Sequence, residues 1–214
     1  VKAVLWDMDG TLVDTEPYWI ATEFEMAEKY GGTWSEEHAL NLVGKALLDS
    51  GDYIRVHMDI DRTPQQIVDE LLDGVVARVE DHIPWRPGAR ELLEDLNAQG
   101  VPCALVTMSW QRFVDPILAQ MRAGTFASVV TGDRVEFGKP HPEPYLTAAA
   151  ELGLAPEECV AIEDSNTGAK SAVAAGCTVL CVPNHVPMLE GEGRVFADTL
   201  SGLDTDGLRT LTTR

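Results

Sequence analysis

Positive charge is what this chain most lacks: its 214 residues carry 16 lysines and arginines against 35 aspartates and glutamates, a formal charge of −19. A surface of that sign repels phosphate backbones and anionic headgroups, which argues against nucleic acid and membranes as partners. An anionic ligand would have to be captured locally, by a metal ion, a lysine and backbone N–H groups, against the overall field. Cysteine is scarce as well. Cys103, Cys159, Cys177 and Cys181 match no metal or redox spacing and sit mostly in short apolar runs, so they read as buried free thiols suited to a reducing compartment. No leader-like or membrane-spanning stretch is found, and the expectation is a cytoplasmic protein. Internal repeats and low-complexity tracts are also missing.

What the chain does have is apolar residues, 45% of its length, enough for one substantial core and a smaller second unit. Short β-branched runs at 2–6, 103–106, 128–130, 160–162 and 178–182 end at turn or polar residues and read as buried strands, with a further edge strand near 194–197. From Cys103 onward they alternate with helical patterns such as 145–152 and 167–175. That rhythm predicts an α/β fold with a doubly wound parallel sheet, Rossmann-like. Between the first two strands the pattern is helical only, for example at 18–30 and 64–79. The reading is therefore a core of residues 1–15 and 85–214, with an inserted α-helical cap domain at 16–84. Hinges are expected near 14–17 and at the proline- and glycine-rich stretch 83–88.

In an open parallel sheet, ligands bind beyond the carboxyl ends of the strands, and four of these ends carry polar groups. Asp7 and Asp9 follow the first strand two residues apart, so both can face one point, and Gly10 lets the chain turn away. A solvated turn or a calcium loop are the alternatives, but the Gly spacing and the preceding strand do not fit an EF-hand. Thr107, Met108 and Ser109 follow the second strand, offering hydroxyls and N–H groups at the start of a helix, for anion binding or simply as a cap. Lys139 lies between Gly138 and Pro140 after the third strand, a cation on a stiffened loop or a surface lysine. Glu163 and Asp164 end the fourth, where acids can also cap a helix. His141 reads as a surface turn residue. Their joint placement at four strand ends favours a single site over four separate coincidences.

Read together, the string from Asp7 to Glu16, the string from Gly138 to Tyr145, and Ile162-Glu163-Asp164-Ser165 with Gly168 resemble the haloacid dehalogenase-like superfamily over almost the whole chain. Within it the sequence is most similar to the phosphoglycolate phosphatase and β-phosphoglucomutase subgroup, which has a helical cap. The resemblance implies an Mg²⁺-dependent phosphatase of a small phosphorylated metabolite, with Asp7 as nucleophile and an aspartyl-phosphate intermediate. It implies Mg²⁺ on the Asp7 carboxylate, the Asp9 backbone carbonyl and Asp164, with Glu163 orienting the metal shell. Asp9 becomes general acid and base, while Thr107 and Lys139 share the charge of the transferring phosphoryl group. Substrate contacts are expected from Thr107, Met108 and Ser109, and from Glu16, Trp19 and Lys45 in the cap, with Arg55 and His57 further candidates. Where mutases of the subgroup carry a histidine this chain has Trp19, and after the cap glycine Gly44 it has Lys45 and no arginine. The phosphosugar mutase is thus the alternative enzyme, and a non-catalytic metal-binding or interaction module the alternative outside enzymes. Oligomeric state and the role of residues 183–214 are not legible.

Overall fold

The protein is described from a computed structural model covering residues 1–42 and 45–212; Gly44 lies outside the described residues. Six strands, β1 (Ala3–Trp6), β2 (Cys103–Val106), β3 (Ser128–Val130), β4 (Cys159–Glu163), β5 (Thr178–Cys181) and β6 (Arg194–Phe196), form one sheet in the order β3-β2-β1-β4-β5-β6. Every pairing is parallel. This is the doubly wound, Rossmann-like parallel sheet that the sequence pattern anticipates, and its strand order reverses between β1 and β4, which places a binding crevice there.

The strands are covered on both faces, as a parallel sheet requires. On one face Val4, Trp6, Leu105, Ile162 and Leu180 share a core with α5 (Ala89–Ala98), α6 (Gln111–Leu118) and α9 (Thr205–Thr212). On the other, Leu5, Ala104, Val106, Ala161 and Val179 pack on α7 (Glu143–Glu151) and α8 (Asn166–Ala175). Successive strand residues alternate between the two clusters because side chains alternate across a pleated strand. The four cysteines are buried free thiols, as expected.

Among the described residues, four helices lie between β1 and residue 84: α1 (Glu16–Tyr30), α2 (Glu36–Leu40), α3 (Leu47–His57) and α4 (Pro64–Asp81). They share an apolar cluster of their own, including Met26, Ile54, Ile67 and Leu71. The opposite side of α4 gives Val68, Leu72, Val75 and Val79 to the main core. The outgoing and returning chains pair with each other: Asp14 N–H donates to Pro84 at 2.7 Å and Arg86 N–H to Leu12 at 3.0 Å. Thr63 and Gln66 form a reciprocal capping box at the start of α4, with Pro64 at the first helical position where its missing N–H costs nothing.

Candidate active site

β1 delivers Asp7 and Asp9, β4 delivers Glu163 and Asp164, and the loop before α7 delivers Lys139 to the reversal point of the sheet. Lys139 Nζ donates to Asp7 Oδ1 at 2.6 Å, Glu163 Oε1 at 2.7 Å and the Val106 carbonyl at 2.9 Å. Its side chain is only 5% exposed, so the alternative of a surface lysine is overturned. Burial alone pulls the ammonium down in pKa; the Asp7 and Glu163 carboxylates more than reverse this and hold it up and charged.

Asp7, Glu163 and Asp164 each offer a carboxylate oxygen within 4.8 Å of the others. Burial first, then mutual repulsion, pushes Asp7 and Asp164 up, with Lys139 opposing. One lysine against three carboxylates leaves negative charge uncompensated, and an all-oxygen set suits a hard dication such as Mg²⁺. The residues present therefore fit the metal. Glu163 is fully buried, and its oxygens are already taken by Lys139, Tyr145 and Ser165. This arrangement suits orienting its neighbours rather than reaching outward.

Two glycines make the packing possible. Gly10 has φ of +86°, and a Cβ there would lie 2.1 Å from Asp164 Oδ2; at Gly168 a Cβ would lie 1.8 Å from Glu163 Oε1. Ser165 ties the second corner together. Its hydroxyl accepts from Gly168 N–H at 3.0 Å, capping α8, and donates to Glu163 Oε2 at 3.1 Å.

The hydroxyls after β2 behave differently from the sequence expectation. Ser109 Oγ donates to Asp9 Oδ2 at 2.8 Å and Thr107 Oγ1 donates to the same oxygen at 3.3 Å, while Thr15 Oγ1 donates to Asp9 Oδ1 at 2.5 Å. They hold Asp9 in place. The expected set of free N–H groups also narrows, because Thr107 N–H is committed to Val130, Ser109 N–H to Thr107 Oγ1, and Gln111 N–H at the start of α6 to Asp133. Met108 N–H keeps no acceptor among the described residues. Burial raises Asp9, the hydroxyl bonds and Lys139 opposing it.

Asp7 is itself buried, 7% exposed, which overturns the alternative of a solvated turn. A cleft of about 430 Å³ opens in front of these groups and extends between the core and α1–α4. It is lined by Asp7, Asp9, Thr107, Met108, Ser109 and Lys139 from the core and, on the helical side, by Glu16, Trp19 and Lys45. Of the expected catalytic, metal-binding and substrate-binding residues, all but Glu163 and the further candidates Arg55 and His57 thus line one cavity. Arg55 pairs with Asp52, and His57 stacks on Tyr53 with ring centroids 3.8 Å apart. His141 is half exposed against Phe137, as read. Glu23, Ser50, Asn166 and His185 also line the cleft and carried no sequence signal of their own. A larger hollow of about 860 Å³ beside α5 holds none of the strand-end acids, so the chemistry does not follow size.

Among the described residues no helix is long and apolar enough to cross a membrane. A family model described as haloacid dehalogenase-like hydrolase matches residues 4–182. Hexitol phosphatase A of Escherichia coli K12 is 36% identical over 202 residues, covering 88% of this chain and 87% of that protein. The phosphorylated carbohydrates phosphatase of Thermotoga maritima is 30% identical, covering 82% of each. Among solved structures, CbbY of Rhodobacter sphaeroides in complex with phosphate superposes with a TM-score of 0.86 at 25% identity, covering 98% of this chain and 99% of that one.

Proposed function

Because the chain belongs to the haloacid dehalogenase-like hydrolase family and is a phosphatase, we propose that it hydrolyses a phosphorylated sugar or sugar alcohol through an aspartyl-phosphate on Asp7, with Mg²⁺ as its metal. The observation that carries this reading is the convergence of Asp7 and Asp9 after β1, Lys139 from the loop before α7 and Asp164 after β4 on one cleft. The substrate class is that of the two phosphatase relatives.

In the first step an Asp7 oxygen attacks phosphorus as the bond to the leaving alcohol breaks, and Asp9 gives that alcohol its proton. In the second, Asp9 takes a proton from water as the water attacks phosphorus; the bond to Asp7 breaks and phosphate leaves. Thr15, Thr107 and Ser109 fix the Asp9 carboxylate for both transfers. Lys139 neutralises charge on the Asp7 side throughout. Bound by the Asp7 carboxylate, the Asp9 backbone carbonyl and Asp164, Mg²⁺ would supply charge neutralisation to the phosphoryl oxygens.

Helices α1–α4 act in this reading as a lid moving on the paired crossings at 12–14 and 84–86. Its closure excludes water and brings Trp19 and Lys45 to the leaving group. The phosphosugar mutase has less support, since the relatives are named as phosphatases. A non-catalytic module would have no need to keep all four groups together. The buried thiols suit a cytoplasmic setting.

The test is phosphate release from a panel of phosphate esters with Mg²⁺ and with EDTA. Release that requires the metal supports the phosphatase; no release without a bisphosphate activator, and transfer with one, would favour the mutase.

A further inference from the structure

Glu23 is a buried carboxyl that the proposed chemistry does not use. It is only 4% exposed and lies on the wall of the active-site cleft. One oxygen, Oε2, accepts from Trp34 Nε1 at 3.0 Å, and among the described residues Oε1 has no donor. Trp34 is itself clamped, stacked on His38 at 4.8 Å and edge-on to Tyr53 at 6.0 Å. The carboxyl is therefore held rigidly, with one oxygen left to satisfy. That oxygen is not sealed from solvent, so it stays open to a donor from water or from a bound ligand.

Its position along α1 says what that donor belongs to. Glu16, Trp19 and Glu23 follow at spacings of three and four, so they share one face of the helix, and all three line the cleft. At 1.5 Å per residue, Glu23 lies about 10 Å farther from the start of α1 than Glu16. Asp9 acts electrostatically on Glu16, which puts the start of α1 at the phosphoryl end. Trp19 comes between the two acids on that helix face, and Leu42, Leu47 and Leu71 line the same cleft. The face reads as a slot with an apolar middle and a hydrogen-bonding far end. Buried Ser50 lines the same slot.

We propose that Glu23 is a specificity-determining residue that bonds a distal hydroxyl of a long, uncharged polyol leaving group, with the carbon chain lying along Trp19. This deepens the proposed function and rests on it. A two-carbon phospho-acid would be too short to reach Glu23. A substrate tail bearing a carboxylate would be bonded by Glu16 and Glu23 only in their protonated forms, whereas a hydroxyl is bonded by either form. Burial raises Glu23 to about 8, so near neutrality it is mainly uncharged and can donate or accept from a hydroxyl.

Turnover of a six-carbon sugar-alcohol monophosphate is compared with that of phenyl phosphate, which has no hydroxyl tail, for the native chain, Glu23→Leu and Glu23→Gln. Expected for Glu23→Leu is a fall in kcat/KM for the sugar-alcohol ester of roughly tenfold or more, carried mainly by KM, with a much smaller change for phenyl phosphate. Glu23→Gln, which keeps hydrogen-bonding capacity, should recover most of the loss. Equal losses on both esters, or none on either, would overturn the assignment. Calorimetric binding of the sugar-alcohol phosphate to Asp7→Asn, with and without Glu23→Leu, reads the subsite without turnover. A Kd weakened about tenfold supports it even if the chemistry proves to be transfer instead of hydrolysis, and an unchanged Kd overturns it.

Discussion

Lys139 and Asp7 form a buried ion pair, Nζ to Oδ1 2.6 Å, in which the lysine is shared with Glu163 at 2.7 Å. One cation thus restrains two carboxylates, and its removal would leave both buried without a counter-charge. Lys139→Met should abolish turnover and destabilise the fold by about 3 kcal/mol at neutral pH. The loss should shrink on acidification, as the orphaned carboxylates take up protons. Urea denaturation at neutral and mildly acidic pH checks both statements; a variant as stable as the native chain would contradict the pairing.

Mg²⁺ should stabilise the fold, because it supplies the charge that Lys139 alone does not. At a hundredfold excess over its dissociation constant the gain is about 2.7 kcal/mol. EDTA should reverse it, and Asp164→Asn should remove most of it. Thermal melts with Mg²⁺ and with EDTA read this directly. An equal Mg²⁺ response in Asp164→Asn would place the ion elsewhere.

Glu23 should make stability depend on pH. Burial lifts it from 4.5 to about 8, the Trp34 indole opposing and Glu16 adding to the rise. The folded chain therefore keeps a proton that the unfolded chain releases. Stability from this group is complete below about 4.5 and is lost as pH climbs through about 8. Glu23→Gln keeps an oxygen for Trp34 without the charge. Relative to native, its Tm should rise by at least ~4 °C between mildly acidic and mildly alkaline pH. A constant difference would show that Glu23 titrates normally.

Much of this was legible in the sequence because the strongest signals were strand-end residues. Asp7, Asp9, Glu163 and Asp164 directly follow short apolar runs, Lys139 follows the third after a longer loop, and a parallel sheet brings such ends together. Strands 103–106 and 128–130 were located to the residue, since a fully buried parallel strand is apolar throughout. Orientation was less legible. Nothing in the string Thr107-Met108-Ser109 tells whether the hydroxyls face a phosphate or Asp9, a choice made by packing against β1. Glu23 was hidden for another reason: one acid in an amphipathic helix looks like surface until Trp34, in another segment, folds over it. His185 was likewise invisible, reaching Asp14 at 2.9 Å from a loop 171 residues away in sequence.

Asp9 should leave its mark on pH dependence. As the acid for the leaving alcohol it must be protonated, so kcat/KM for an alkyl ester should fall as pH rises through its burial-raised pKa. Asp9→Asn should lose that limb and lose far more kcat/KM on alkyl esters than on p-nitrophenyl phosphate, whose leaving group needs no proton, while kcat falls on both because the second step lacks its base. A limb retained in the variant would assign the titration to another group.

During turnover phosphorus should become bonded to Asp7. Acid quench of Asp9→Asn during reaction with p-nitrophenyl phosphate and Mg²⁺, followed by peptide mass spectrometry, should find a phosphoryl group on Asp7, accumulated because the water-activating base is gone. The same quench of Asp7→Asn should find none, with turnover reduced on the order of 10³-fold or more. Steady turnover by Asp7→Asn, or a phosphoryl group on any other residue, would contradict it.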